Sequence, residues 1–89
     1  MIHEEKISKL YKDWTDYKNL HYSKKVGFGN VLDIEIQKDG VDRLFKLLQE
    51  GVLNGCDDRE LEFRITSVEN NLRIYKDLIT MELLRHGQF

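Results

Sequence analysis

Two short runs of this chain alternate between apolar and charged residues, and the alternation constrains the fold more than any other feature. The runs are VLDIEIQ at residues 31–37 and LEFRIT at residues 61–66. Their apolar members are Leu32, Ile34 and Ile36 in the first run and Leu61, Phe63 and Ile65 in the second. A period of two is typical of a strand with one buried face. We therefore predict a strand in each run.

Three other segments show apolar residues at steps of three and four, which is the spacing of an amphipathic helix. They are residues 3–21, residues 40–50 and residues 68–85. Asp39 is placed to cap the start of the second helix, and Gly51 to end it. Thr66 and Glu69 have the spacing of a capping box at the start of the third helix.

The resulting order, α-β-α-β-α, contains a β-α-β unit and predicts a small α+β domain that spans residues 1–89. Two strands make a marginal sheet, so a third strand is expected. Its candidates are residues 24–29, residues 72–76, or an edge strand from a second copy of the chain, which favours a homodimer. Residues 65–76 also permit a hairpin in place of the start of the third helix.

Composition limits the compartment and the class of partner. No apolar run approaches the roughly 18 residues of a membrane span, and the N-terminal residues are charged. A single cysteine agrees with a reducing, cytoplasmic compartment. Residues 31–62 carry nine acidic and four basic residues, a net charge of −5, so a nucleic acid is an unlikely partner. The absence of proline, with many Lys, Asn, Ile and Leu residues, is typical of an AT-rich bacterial or phage gene.

The sequence contains no arrangement that predicts a reaction, a metal site or a cofactor site. Gly27 and Gly29 have the spacing of a phosphate-binding loop, but a predicted strand follows them where such a loop requires a helix. The two glycines therefore predict a bend, and Lys24 and Lys25 beside it are a weak candidate contact for an anion. Cys56 has no histidine near it in sequence, so we predict no catalytic residue.

The residues best suited to bind a partner are aromatic and acidic. Trp14, Tyr17 and Tyr22 follow the apolar face of the first helix, where they serve either as core or as anchors of a binding surface. The acidic candidates lie on the outer face of the two predicted strands: Asp33, Glu35, Glu60 and Glu62. Because like charges that face each other are destabilising, we expect either the lysines of the first helix or a basic partner protein to cover this face.

Over residues 31–66, the predicted β-α-β core with an acidic face resembles small bacterial immunity proteins and phage-encoded inhibitors. The resemblance includes no diagnostic motif and assigns no residue. We therefore expect a cytoplasmic protein that inhibits or neutralises another protein by stoichiometric binding, and the lack of a catalytic arrangement favours this role over an enzyme. Two alternatives stay open at this point: an oligomer that binds or sequesters a nucleotide, and a regulator that binds nucleic acid.

Overall fold

The part of the chain that the structure describes folds into three helices. The computed structural model describes residues 3–23 and 31–85, and within those two ranges it contains no strand. Helix α1 spans Glu4–Ser23, α2 spans Val31–Leu53 and α3 spans Asp58–Arg85. The predicted first helix is therefore confirmed, whereas the α+β class and the order α-β-α-β-α are wrong.

The first predicted strand forms the first two turns of α2. The buried side chains of this helix are Ile34, Val41, Phe45 and Leu48, whose spacings of seven, four and three residues are helical. Leu32 and Ile36, which produced the alternation, are exposed. Asp39 consequently lies inside the helix and does not cap it.

The second predicted strand and the predicted hairpin both lie within α3. Seven apolar residues spaced by three and four form its buried face: Leu61, Ile65, Val68, Leu72, Tyr75, Ile79 and Leu83. Phe63 and Ile74, which suggested strands, are exposed. The capping box at Thr66 is also wrong, because Thr66 lies inside α3 and not at its start. The hydroxyl of the next residue, Ser67, donates to the carbonyl of Phe63 four residues earlier in the same helix.

Without strands, the reasons for a third strand disappear. Residues 72–76 are helical, and residues 24–29, with Lys24 and Lys25, lie outside the described residues. The described part of the chain has no sheet that a second copy could extend. The resemblance to immunity proteins and inhibitors, which depended on a β-α-β core, loses its structural basis.

The turn between α2 and α3 explains why α2 continues past Gly51. The amide of Cys56 donates to the carbonyl of Gly51, and the amide of Gly55 donates to that of Val52, which is the Schellman pattern of a helix end. Gly55 has a φ of 68°, a value that glycine adopts without strain. Asp57 then caps α3 by accepting the amide of Glu60 at 2.8 Å.

Helices α2 and α3 form a long antiparallel pair, and α1 packs across one side of it. The 28 residues of α3 correspond to about 42 Å of helix, close to the molecule's longest dimension of 44 Å. Trp14 joins the three helices, because its ring stacks on Phe45 of α2 and meets Tyr75 of α3 edge-on. Lys76 of α3 also donates to Asp13 of α1 at 2.7 Å.

The two glycines inside α2 lie in opposite environments and offer a matched test of this packing. A Cβ at Gly40 would meet nothing within 4 Å, whereas a Cβ at Gly51 would lie 3.0 Å from Arg64 Cδ and 3.1 Å from Cys56 Sγ. We expect Gly40→Ala to raise the free energy of unfolding by about 0.5–1 kcal/mol, since alanine favours helix over glycine. Gly51→Ala should gain less or be destabilising, because Arg64 and Cys56 must move.

Urea denaturation of the two variants beside the wild type measures this difference. Equal stabilisation by both substitutions would show that Gly51 does not pack closely against α3 and the turn.

Candidate functional site

A buried polar cluster joins the last turn of α1 to α2 and α3. His21 is 1% exposed. Its Nδ1 lies 3.0 Å from the hydroxyl of Tyr75, and its Nε2 lies 3.6 Å from Oε1 of Glu35. Tyr22 stacks on the imidazole with ring centroids 5.4 Å apart. We call these four residues, with Lys38, the His21 cluster.

Burial sets the protonation of the two central groups. It lowers the pKa of His21, and although the carboxylate of Glu35 acts in the opposite direction, the net shift is downward. Burial also raises the pKa of Tyr75, and the negative charges of Glu35 and Asp42 add to this effect. The phenol therefore stays protonated and can donate to Nδ1 of a neutral imidazole, whose Nε2–H then points towards Glu35.

The lysines around this interface are held in their charged form. Burial lowers the pKa of Lys38, but its hydrogen bonds to Tyr22 and Asp39, together with the charge of Glu35, raise it overall. The hydrogen bond to Asp13 is the main cause that raises the pKa of Lys76. Lys76 pairs with Asp13 across two helices, whereas the carboxylates that pair with Lys38 all lie on α2. Because protein covers His21 and Tyr75, the His21 cluster is a structural contact between the three helices.

An open apolar groove lies beside the N-terminal half of α1. It holds about 480 Å³ and is lined by Glu4, Ile7, Ser8, Leu48, Gln49, Val52 and Leu53. A second depression of about 380 Å³ shares three of these residues and extends to Tyr11 and Lys12. We call the two together the α1–α2 groove. The groove opens towards the N-terminus of α1, beyond Tyr11 and Trp14, whose rings contact Phe45.

A second apolar surface lies on the long helix pair. Five exposed side chains define it, and we call it the outer face: Ile36, Leu47, Phe63, Ile74 and Met81. Leu47 and Phe63 line a shared shallow depression of about 150 Å³ between α2 and α3.

The aromatic candidates from the sequence occupy different environments. Trp14 is buried in the core. Tyr17 is half-buried with the ammonium of Lys76 5.3 Å from its ring centre, and Tyr22 is exposed next to His21.

The acidic candidates do not form one surface, because the strands that would have aligned them are helical. Glu35 belongs to the His21 cluster, and Asp33 lies near the start of α2. Glu60 and Glu62 lie in the first turns of α3, at the opposite end of the antiparallel pair. Glu60 pairs with Arg64 at 3.1 Å. Among the candidates that lie within residues 3–23 and 31–85, Tyr22 and Glu35 are brought to the same residue, His21.

Sequence reasoning missed the groove residues on α2. Val52 and Leu53 follow Gly51, which was expected to end the helix. The signal that could have identified them is Asn54-Gly55, because an Asn-Gly pair one turn later is the stronger helix end.

Within residues 3–23 and 31–85, no three His, Cys, Asp or Glu side chains gather in a way that could hold a metal ion. Nor does any helix in these ranges combine the length and the apolar character needed to cross a membrane.

The buried, neutral His21 predicts that folding stability depends on pH. Its pKa is lowered in the folded protein, so below about pH 6.5 the unfolded chain binds the proton more readily than the folded protein does. Protonation therefore stabilises the unfolded state relative to the folded state. We expect the free energy of unfolding to decrease as the pH falls from about 7 to about 5, by at most about 1.4 kcal/mol per pH unit from this one proton.

Denaturation of the wild type and of His21→Gln across this range tests the prediction, with His3→Gln as a control outside the core. His21→Gln should flatten the slope and His3→Gln should retain it. An unchanged slope in His21→Gln would assign the pH dependence to other groups.

Comparison of the chain with protein-family models, with curated proteins and with solved structures finds no match. Its function therefore has to be inferred from the geometry of these surfaces.

Proposed function

We propose that this protein acts by stoichiometric binding of another protein, and that the α1–α2 groove receives the apolar side chains of an amphipathic helix of that partner. The observation that carries the proposal is the groove itself. Its volume is about 480 Å³. Apolar side chains from two helices line it, with polar residues at its rim.

The shape of the groove favours a helix as its occupant. Along α1 it extends from Glu4 to Lys12, which is about 12 Å or slightly more than two helical turns. A bound helix that presents apolar residues at steps of three and four could place them in both depressions. Leu53, which is 84% exposed, would be covered by such a partner.

The charges at the rim favour a protein over a nucleotide. A nucleotide site concentrates cations or free amides around phosphates. Here Glu4 contributes an acidic group at one end of the groove, and Lys12 at the other end already pairs with Asp16 at 3.4 Å.

Binding of this kind supports a role as an inhibitor. A partner whose amphipathic helix is held in the groove cannot use that apolar face for its own folding or assembly. We extend the proposal to inhibition or neutralisation of a bacterial or phage-related protein in the cytoplasm.

Leu53→Lys tests the groove, because it places a charge where the partner's apolar side chains would pack. Wild-type protein, Leu53→Lys and the control Leu84→Lys are immobilised and exposed to a bacterial lysate, and captured proteins are identified by mass spectrometry. Leu84 is also exposed but lies near the end of α3, away from the groove. We expect a partner captured by wild type and Leu84→Lys and lost with Leu53→Lys.

A synthetic helix from the captured protein then gives an affinity for each variant by fluorescence anisotropy. We expect Leu53→Lys to weaken binding at least tenfold, about 1.4 kcal/mol, because it buries a charge against an apolar surface. Equal affinities of wild type and Leu53→Lys would rule out the groove as the binding site.

A further inference from the structure

We infer that the outer face is a self-association surface, on which a second copy of this chain packs the same face in a symmetric dimer. This inference concerns a different surface from the α1–α2 groove. The two proposals can therefore fail independently.

Helical spacing places the five residues of the outer face on one side of the molecule. Ile36 and Leu47 are eleven residues apart on α2, which is close to three full turns. On α3, Phe63, Ile74 and Met81 are separated by eleven and seven residues, close to three and two turns. Each helix therefore presents its exposed apolar residues as a stripe along its axis.

The two stripes adjoin each other. Leu47 and Phe63 line one depression, and farther along the pair Gln37 donates to the backbone carbonyl of Asn71 at 3.1 Å. This antiparallel register places Ile36 and Ile74, the neighbouring apolar residues, at the same level. The two stripes therefore place two apolar patches on the same side of the helix pair, one with Leu47 and Phe63 and the other with Ile36 and Ile74.

The outer face points away from α1. On α3, Lys76 faces α1 because it pairs with Asp13, and Ile74 lies two residues away, about 200° around the helix. On α2, Asp42 faces α1 because it pairs with Lys18 at 3.9 Å, and Leu47 lies about 140° away. Helix α1 therefore covers one side of the pair and leaves the apolar outer face to solvent.

The area of this face matches what a dimer needs. Its five side chains are between 44% and 69% exposed. With roughly 200 Å² for a fully exposed aromatic side chain, and less for the four aliphatic ones, they present at most roughly 550 Å² of apolar surface. A standard interface buries about 800 Å² per partner, of which about 65% is apolar in homodimers, or roughly 520 Å².

A second copy fits this face because the surface is itself an antiparallel helix pair. A two-fold axis in the interface makes the same patch meet itself. It also places each helix against an antiparallel neighbour, as in a four-helix bundle. Charges of both signs lie within and beside this face, with Arg43 between Ile36 and Leu47 on α2 and Glu60 beside Phe63. Like charges therefore do not have to oppose each other along the whole border.

Sedimentation equilibrium of the wild type, Phe63→Glu, Ile74→Glu and the control Leu53→Glu tests the inference. The wild type and Leu53→Glu should have twice the chain mass of 10.6 kDa, and the wild type should show a melting temperature that rises with concentration. The two outer-face variants should show a twofold loss of mass, because a carboxylate cannot be buried in the apolar interface.

Circular dichroism of each variant verifies that the helices are retained, and the mass of the wild type decides the outcome if either variant fails to fold. A wild type with the mass of one chain at every concentration would overturn the inference. Folded outer-face variants that keep the dimer mass would also overturn it. Loss of partner capture by Leu53→Lys bears only on the proposed function, because Leu53 lies outside the outer face.

Discussion

The structure depends on the burial of Trp14 between the other two helices. Its ring centroid lies 6.0 Å from that of Phe45 and 5.0 Å from that of Tyr75. Removing a side chain of this size from water contributes roughly 5 kcal/mol. Helices α2 and α3 are joined by a short capped turn. The aromatic contacts of Trp14 fix where α1 lies on the pair.

The two proposed surfaces are consequences of this arrangement. From Trp14 towards its C-terminus, the His21 cluster and the pair between Lys18 and Asp42 hold α1 close to the other helices. Towards its N-terminus, α1 and α2 enclose a groove. On the opposite side of the long pair no helix within the described residues covers the apolar outer face. The same three helices thus provide a rigid core and two apolar surfaces that other chains could cover.

The wrong strand predictions and the outer face have a common cause. Leu32, Ile36 and Phe63 alternate with the core residues Ile34, Leu61 and Ile65 because the exposed side of each helix is also apolar in places. A period of two over six or seven residues cannot distinguish a strand from a helix with apolar residues on two sides. The longer series from Leu61 to Leu83 has a clear helical period, and it extends through the residues that were divided between a strand and a helix.

The sequence alone determined the local features whose causes are local. These include the amphipathic period of α1, the buried face in the second half of α3, and a turn at Asn54-Gly55 where glycine adopts a positive φ. Tertiary structure decided which apolar residues are buried, because burial depends on what packs against each helix. It placed Trp14 in the core and brought His21 to Glu35 and, across 54 residues of sequence, to Tyr75. It also formed the α1–α2 groove between residues far apart in the chain. No local pattern encodes these contacts, since each requires two helices to meet at a particular angle and register.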